Sequence, residues 1–306
     1  MSIHMKEMGI KLIFLKKCRH ANIICQNAGY AMLSDTQPMP EKTREWVIAV
    51  KGAGEMASAV AWRLFMANIK KIFMMEIDQP LAVRREVSFC EAIVESQKTV
   101  EGVEAIKADS FAQVQAIWQA DKIAVMVDPL WKAVQGLKAD VVIDAILAKK
   151  NLGTSLTEAQ CVIALGPGFK PGKDAHLVIE TNRGHDLGRI LMDREAEPDT
   201  GVASEINGIT AERVLRAPEN GIFKTDRKIG ESINAGEVIG AVDGLEIHAQ
   251  IKGVIRGLLR SGFPVSKHLK IGDIDPRGIR RYCYTISDKA RAISGSVLEA
   301  VLRERV

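Results

Sequence analysis

No two of the five cysteines stand in a C-x-x-C spacing, and no cysteine–histidine grouping has the spacing of a zinc site. Cys18, Cys25, Cys90, Cys161 and Cys283 are scattered along the chain, which argues against a disulfide scaffold and for reduced thiols in a cytoplasmic protein. No metal site is expected. The chain also has no long hydrophobic run at its start. The apolar stretch Leu12-Ile13-Phe14-Leu15 is far too short to span a bilayer, and lysines interrupt it as a signal segment, so no membrane partner is expected. Charge of one sign is scarce. The net charge is +4 in 306 residues, and the first 34 carry much of it, in Lys6, Lys11, Lys16, Lys17 and Arg19 against Glu7. No basic stripe interleaved with aromatics is present, so nucleic acid is not an implied partner.

What is present fits two domains of ordinary composition, 47% hydrophobic and 26% charged. Residues 1–43 read as a flexible or poorly ordered extension. Residues 44–165 alternate strand and helix patterns. Trp46 to Val50 reads as a buried strand and runs into Gly52-Ala53-Gly54-Glu55-Met56-Ala57, which opens a helix. This is a G-x-G-x-x-A bend in strand–turn–helix context. Gly52 permits the tight turn, Gly54 allows a phosphate close to the backbone, and Ala57 allows close helix–strand packing. The helix start then offers free N–H groups to an anion. The next strand ends in Glu76-Ile77-Asp78, where a carboxylate can hold ribose hydroxyls. Further strands at 123–127 and 141–146 predict a doubly wound, Rossmann-like parallel sheet of order 3-2-1-4-5. Asp144 ends one of these strands, facing either the same cleft or its own turn. The implied cofactor is a nucleotide or dinucleotide of NAD(P) type.

Residues 166–212 connect this domain to the rest. Gly166 and Gly168 follow an apolar strand. Glu180, Arg183, His185 and Arg189 then converge around turn glycines. Such a turn suits an anionic ligand, with the arginines as donors and Glu180, Arg183 and His185 as candidate catalytic groups. The competing reading is a polar surface loop whose arginines pair with Asp186 and Asp193.

Residues 213–282 contain one pattern twice. Ala217, Gly221, Ile222, Gly230, Ile233, Ile239 and Gly240 return 32 residues later as Ala249, Gly253, Val254, Gly262, Val265, Ile271 and Gly272. Two units of glycines and β-branched residues predict interlocking strands in a small all-β barrel-sandwich. The duplication resembles biotinyl/lipoyl-type barrels, but Ala241-Val242-Asp243-Gly244-Leu245-Glu246 holds no lysine to carry such a cofactor. A rigid docking module is therefore expected. Residues 283–306 read as an amphipathic C-terminal helix, packed on the body or on a second copy in a homo-oligomer.

Several longer motifs carry a resemblance over roughly residues 46 to 300. They include Lys51-Gly52-Ala53-Gly54-Glu55-Met56-Ala57, Ala164-Leu165-Gly166-Pro167-Gly168-Phe169 and Ile179-Glu180-Thr181-Asn182-Arg183-Gly184-His185. With these motifs the chain resembles the selenium-dependent molybdenum hydroxylase system (maturation) proteins. The resemblance implies a cytoplasmic accessory protein that binds a nucleotide form of the molybdenum cofactor and docks a molybdenum hydroxylase client. The alternatives are an NAD(P)-dependent oxidoreductase with His185 as acid/base, and a non-enzymatic scaffold.

Overall fold

The structure is a computed structural model that describes residues 45–203 and 205–305. The described residues belong to one compact unit. The expectation for residues 1–43 lies outside them.

The first strands are β1 (Val47–Lys51) and β2 (Lys71–Glu76), joined by helix α1 (Glu55–Met66). There follow α2 (Glu91–Glu95), β3 (Gln97–Val100), β4 (Val103–Lys107), α3 (Phe111–Gln119) and β5 (Ile123–Val127). Next come α4 (Ala133–Gly136), β6 (Val141–Asp144), β7 (Cys161–Leu165), β8 (Leu177–Ile179) and β9 (Ile190–Leu191). These strands make a nine-stranded sheet of order β3-β4-β5-β2-β1-β6-β7-β8-β9. Neighbours from β4 to β8 pair in parallel, and β3 and β9 close the edges antiparallel. Central strands such as Val47-Ile48-Ala49-Val50-Lys51 are buried on both faces, as parallel strands under two layers must be. Alternate residues divide between two cores. Ile48, Val50, Ile72, Met74, Ile143 and Ile163 join one; Ala49, Phe73, Met75, Val142 and Val162 join the other.

The second half holds β10 (Val214–Arg216), β11 (Gly221–Lys224), β12 (Ser232–Ile233), β13 (Val238–Val242), β14 (Leu245–His248), β15 (Gly253–Leu258), β16 (Phe263–Val265) and β17 (Lys270–Asp275). They form two antiparallel sheets, β10-β17-β15-β12 and β14-β13-β11-β16, over a core of their own. The chain ends in α5 (Asp288–Arg305).

The expected arrangement, a doubly wound Rossmann-like sheet followed by a biotinyl/lipoyl-like barrel, is corrected by this architecture. The main sheet does not stop at residue 165; β8 and β9 extend it through the stretch expected to be a connector. It is not wound by a helix at every crossover either. The passage from β6 to β7 holds only a short 3₁₀ turn at Leu156–Glu158. Its place on that face is taken by α5, whose Ile293, Val297 and Val301 are buried in the same core as Val60 and Leu64 of α1. The β half is two separate four-stranded sheets, and it is stitched to the segment that follows β2 rather than carried as an independent barrel. Leu258 N–H donates to Val83 O at 2.8 Å, and Arg85 Nε donates to Leu258 O at 2.8 Å. A Cβ on Gly257 would come within 2.9 Å of Val83 O, so the glycine permits that contact. The periodicities were readable along the chain; this long-range stitching was not.

Candidate functional site

The bend between β1 and α1 is the first part of the site. Gly52 has φ +86° and donates to Met75 O at 2.8 Å, while a Cβ there would lie 3.3 Å from Ile146 Cα. The turn is thus wedged between the carboxyl ends of β2 and β6, and only glycine meets both demands without strain. Gly54 is different. Its φ is −71°, and an added Cβ would meet nothing within 4 Å. It faces open space at the start of α1, which has no side-chain cap. A helix start with unsatisfied N–H groups carries partial positive charge. Ala57 is fully buried beneath it.

The open space is a cleft of about 400 Å³. Gly52, Gly54, Glu76, Cys90, Leu81 and Ile146 are among the residues that line it. Glu76 is fixed at its rim: Oε2 accepts from Ala53 N–H and Oε1 from Ile77 N–H, both at 2.9 Å. Burial raises its pKa, and the two backbone donors, by favouring the anion, partly offset that rise. Cys90 is fully buried; burial, then Glu76 and Glu91, push its thiol well up, so it stands there protonated and unreactive. Asp78 is exposed.

Asp144 does not face the cleft through a free carboxylate. Oδ2 accepts from Thr154 Oγ1 at 2.6 Å, and Oδ1 accepts from Ile146 N–H at 3.2 Å. Thr154 Oγ1 in turn accepts from Lys51 Nζ at 2.7 Å. Lys51 is fully buried, pairs with Glu158 at 2.7 Å and stacks over Trp131 at 4.1 Å. Burial raises the Asp144 pKa, with the Thr154 hydrogen bond opposing. This buried network braces the ends of β1 and β6 below the bend. The sequence signal was available, since Lys51 closes an otherwise apolar strand, but it was read only as part of a motif.

The second expected cluster is dispersed. Glu180 is buried and holds its own loop, accepting from Asn182 N–H at 2.6 Å and Glu197 N–H at 2.8 Å. Arg183 makes a bidentate pair with Asp288 at 2.7 and 3.0 Å, at the start of α5. Arg189 pairs with Asp186 at 2.7 Å on the surface. His185 is exposed and makes no hydrogen bond among the described residues. Gly166 and Gly168 are close-approach positions. A Cβ would lie 2.6 Å from Thr181 Oγ1 in the first case and 2.5 Å from Lys150 Cα in the second. Neither leaves room for a ligand over its Cα. The structure therefore brings together the bend and Glu76, and does not bring Glu180, Arg183 and His185 to a common point. The cleft walls at 80–82 and 145–147, which the sequence reading missed, are loop residues without a motif of their own.

Among the described residues no group of three or more His, Cys, Asp and Glu could hold a metal ion. No helix among them is long and apolar enough to cross a membrane.

No family model matches the chain. It is 46% identical over 256 residues to "Uncharacterized protein YqeB" of Escherichia coli (strain K12); the match covers 84% of this chain. It covers 47% of the relative, so the chain spans about half the length of the curated protein it matches. Among solved structures, an aspartoacylase family protein from Mesorhizobium loti is 13% identical over 74% of this chain and 84% of its own, with a TM-score of 0.25. A succinylglutamatedesuccinylase/aspartoacylase from Rhodobacter sphaeroides is 23% identical over 21% of this chain and 22% of its own, with a TM-score of 0.18. Likeness that slight carries no argument about chemistry. The expected resemblance to selenium-dependent molybdenum hydroxylase maturation proteins is corrected by these findings. The proteins it is similar to are an uncharacterised protein and desuccinylase/aspartoacylase structures, none bearing molybdenum or selenium in its name. The maturation role and its client enzyme therefore have no support from relatives.

Proposed function

We propose that this protein binds a small phosphate-bearing molecule in the cleft beside Gly54. The observation that supports the reading most is the pairing of open space over Gly54 with an uncapped helix start. A phosphate there meets backbone N–H groups and the positive end of α1. Glu76, fixed at the rim by two backbone donors, is placed to accept hydrogen bonds from hydroxyl groups on the body of the ligand. Leu81 and Ile146 supply apolar wall. The groups around the cleft suit holding a ligand: the thiol in it is protonated, and His185 is not among the residues that line it.

Calorimetric titration with ADP tests the reading. Saturable heat with a dissociation constant below a millimolar is expected, and at least tenfold weaker binding in Gly54→Val. Absence of heat from the unaltered protein at millimolar ADP would overturn it.

A further inference from the structure

A second concavity lies between the start of α1, the start of α5 and the sheet β10-β17-β15-β12. It has a volume of about 310 Å³ and meets the cleft at Glu55 and Met56. Eight cationic side chains line it against three carboxylates. The cations come from remote parts of the chain, among them Arg84, Arg213, Arg216, Arg256, Lys270 and Lys289.

Lys149 pairs with Asp199, Arg183 with Asp288, and Arg256 Nε lies 3.8 Å from Asp275 Oδ2, so the remaining cations share what is left. Asp273 alone faces three: it pairs with Arg213, and lies 3.8 Å from both Arg256 Nη1 and Lys270 Nζ. Arg84 reaches Glu55 at 3.4 Å and otherwise donates to the carbonyls of Tyr282 and Thr285. Arg216 is exposed and donates to His268 O at 3.0 Å; among the described residues neither it nor Lys289 makes an ion pair. The Nε atoms of Arg84 and Arg256 are buried without a hydrogen-bond partner, and Arg84 is 6% exposed. Partial desolvation lowers the pKa of Lys270, whose side chain is still 40% exposed; Asp273 and Glu55 oppose this, and Arg213 and Arg256 add to it. Lys289 is lowered too, by burial and by Arg183. A folded chain that crowds cations at this cost, and leaves buried guanidinium donors unmet, lacks a counter-anion.

We infer that this basic pocket is a binding site for a phosphoryl or diphosphate group, separate from the cleft beside Gly54. A tetrahedral phosphoryl group takes donors from several directions at once, which fits cations projecting from β10, β15, β17 and α5. A carboxylate offers two oxygens in one plane and fits a single fork-shaped partner better.

Pyrophosphate titrated calorimetrically into the full chain tests this. The comparison uses the double variant Lys270→Gln/Lys289→Gln, with Lys173→Gln/Arg303→Gln, both exposed and outside the pocket, as a charge-matched control. The pocket predicts saturable binding to the unaltered protein and to the control, weakened at least tenfold in the double variant, and weaker binding of citrate than of pyrophosphate. Gly54→Val is expected to keep pyrophosphate binding while losing ADP, which separates this site from the cleft. The inference is overturned if the unaltered protein shows no pyrophosphate heat at millimolar concentration. Unchanged affinity in the double variant, a match by citrate, or loss of pyrophosphate binding in Gly54→Val would overturn it equally.

Discussion

The cleft beside Gly54 and the basic pocket share Glu55 and Met56, yet they are built on opposite principles. The cleft is centred on the bend at 52–56, with walls from 76–90 and 145–147, backbone amides as its donors and Glu76 at its rim. The pocket is made by side chains from remote parts of the chain, with charge as its principle. Backbone donors at a helix start cost little in stability, because those N–H groups are unpaired in any helix. Crowded cations cost more, since each is desolvated beside others of its sign. The difference makes the two regions separable by mutation.

The largest effect is expected below the cleft rather than in it. Lys51→Ala leaves Asp144 and Glu158 without their cation, so stability should fall by about 3–5 kcal/mol, measured by urea denaturation. If the loss stays under about 1 kcal/mol, the buried network does not brace the strand ends. Gly54→Val is the opposite case. Nothing stands near its Cβ and its φ is ordinary, so stability should drop by no more than about 1 kcal/mol while ADP binding falls at least tenfold. Gly52→Ala instead should destabilise, because its φ is +86° and Ile146 is in the way.

Glu76 adds a pH signature. Its folded-state pKa lies above its unfolded value, so the native state holds the proton more tightly. The carboxylate therefore takes away stability as pH rises from the ordinary glutamate range through the raised value. Above that value the full penalty is present. Glu76→Gln should flatten this part of the stability–pH curve; an unchanged slope would mean that the carboxylate is not desolvated. The smallest effects belong to His185→Ala and Arg189→Ala. Both positions are exposed, so stability should shift within about 0.5 kcal/mol and neither ADP nor pyrophosphate binding should move.

The same contrast explains what could be read along the chain. The bend and Glu76 lie within 25 residues, and local rules of strand, glycine turn and helix place them together. Asp144 was found at a strand end, but the hydrogen bond that turns it to Thr154 depends on a loop ten residues on. Glu180, Arg183 and His185 stood close in sequence and suggested one site. The fold spends the first two on holding a loop and anchoring α5, and leaves the third in solvent. The basic pocket could not be assembled from the sequence, because Arg84, Arg213, Arg256 and Lys289 lie far apart in the chain and are brought together by tertiary contacts. The main sheet also runs past residue 165, because β8 pairs with β7 and the two-residue β9 pairs with β8, and pairing across loops has no local signal in the sequence.

Paired calorimetric titrations of ADP into the unaltered chain and into Gly54→Val, at matched melting temperature, bear most directly on the cleft. Sub-millimolar binding that weakens at least tenfold in the variant is the predicted result. Equal affinity in the two proteins, or no binding to either, would contradict a phosphate held over the first bend.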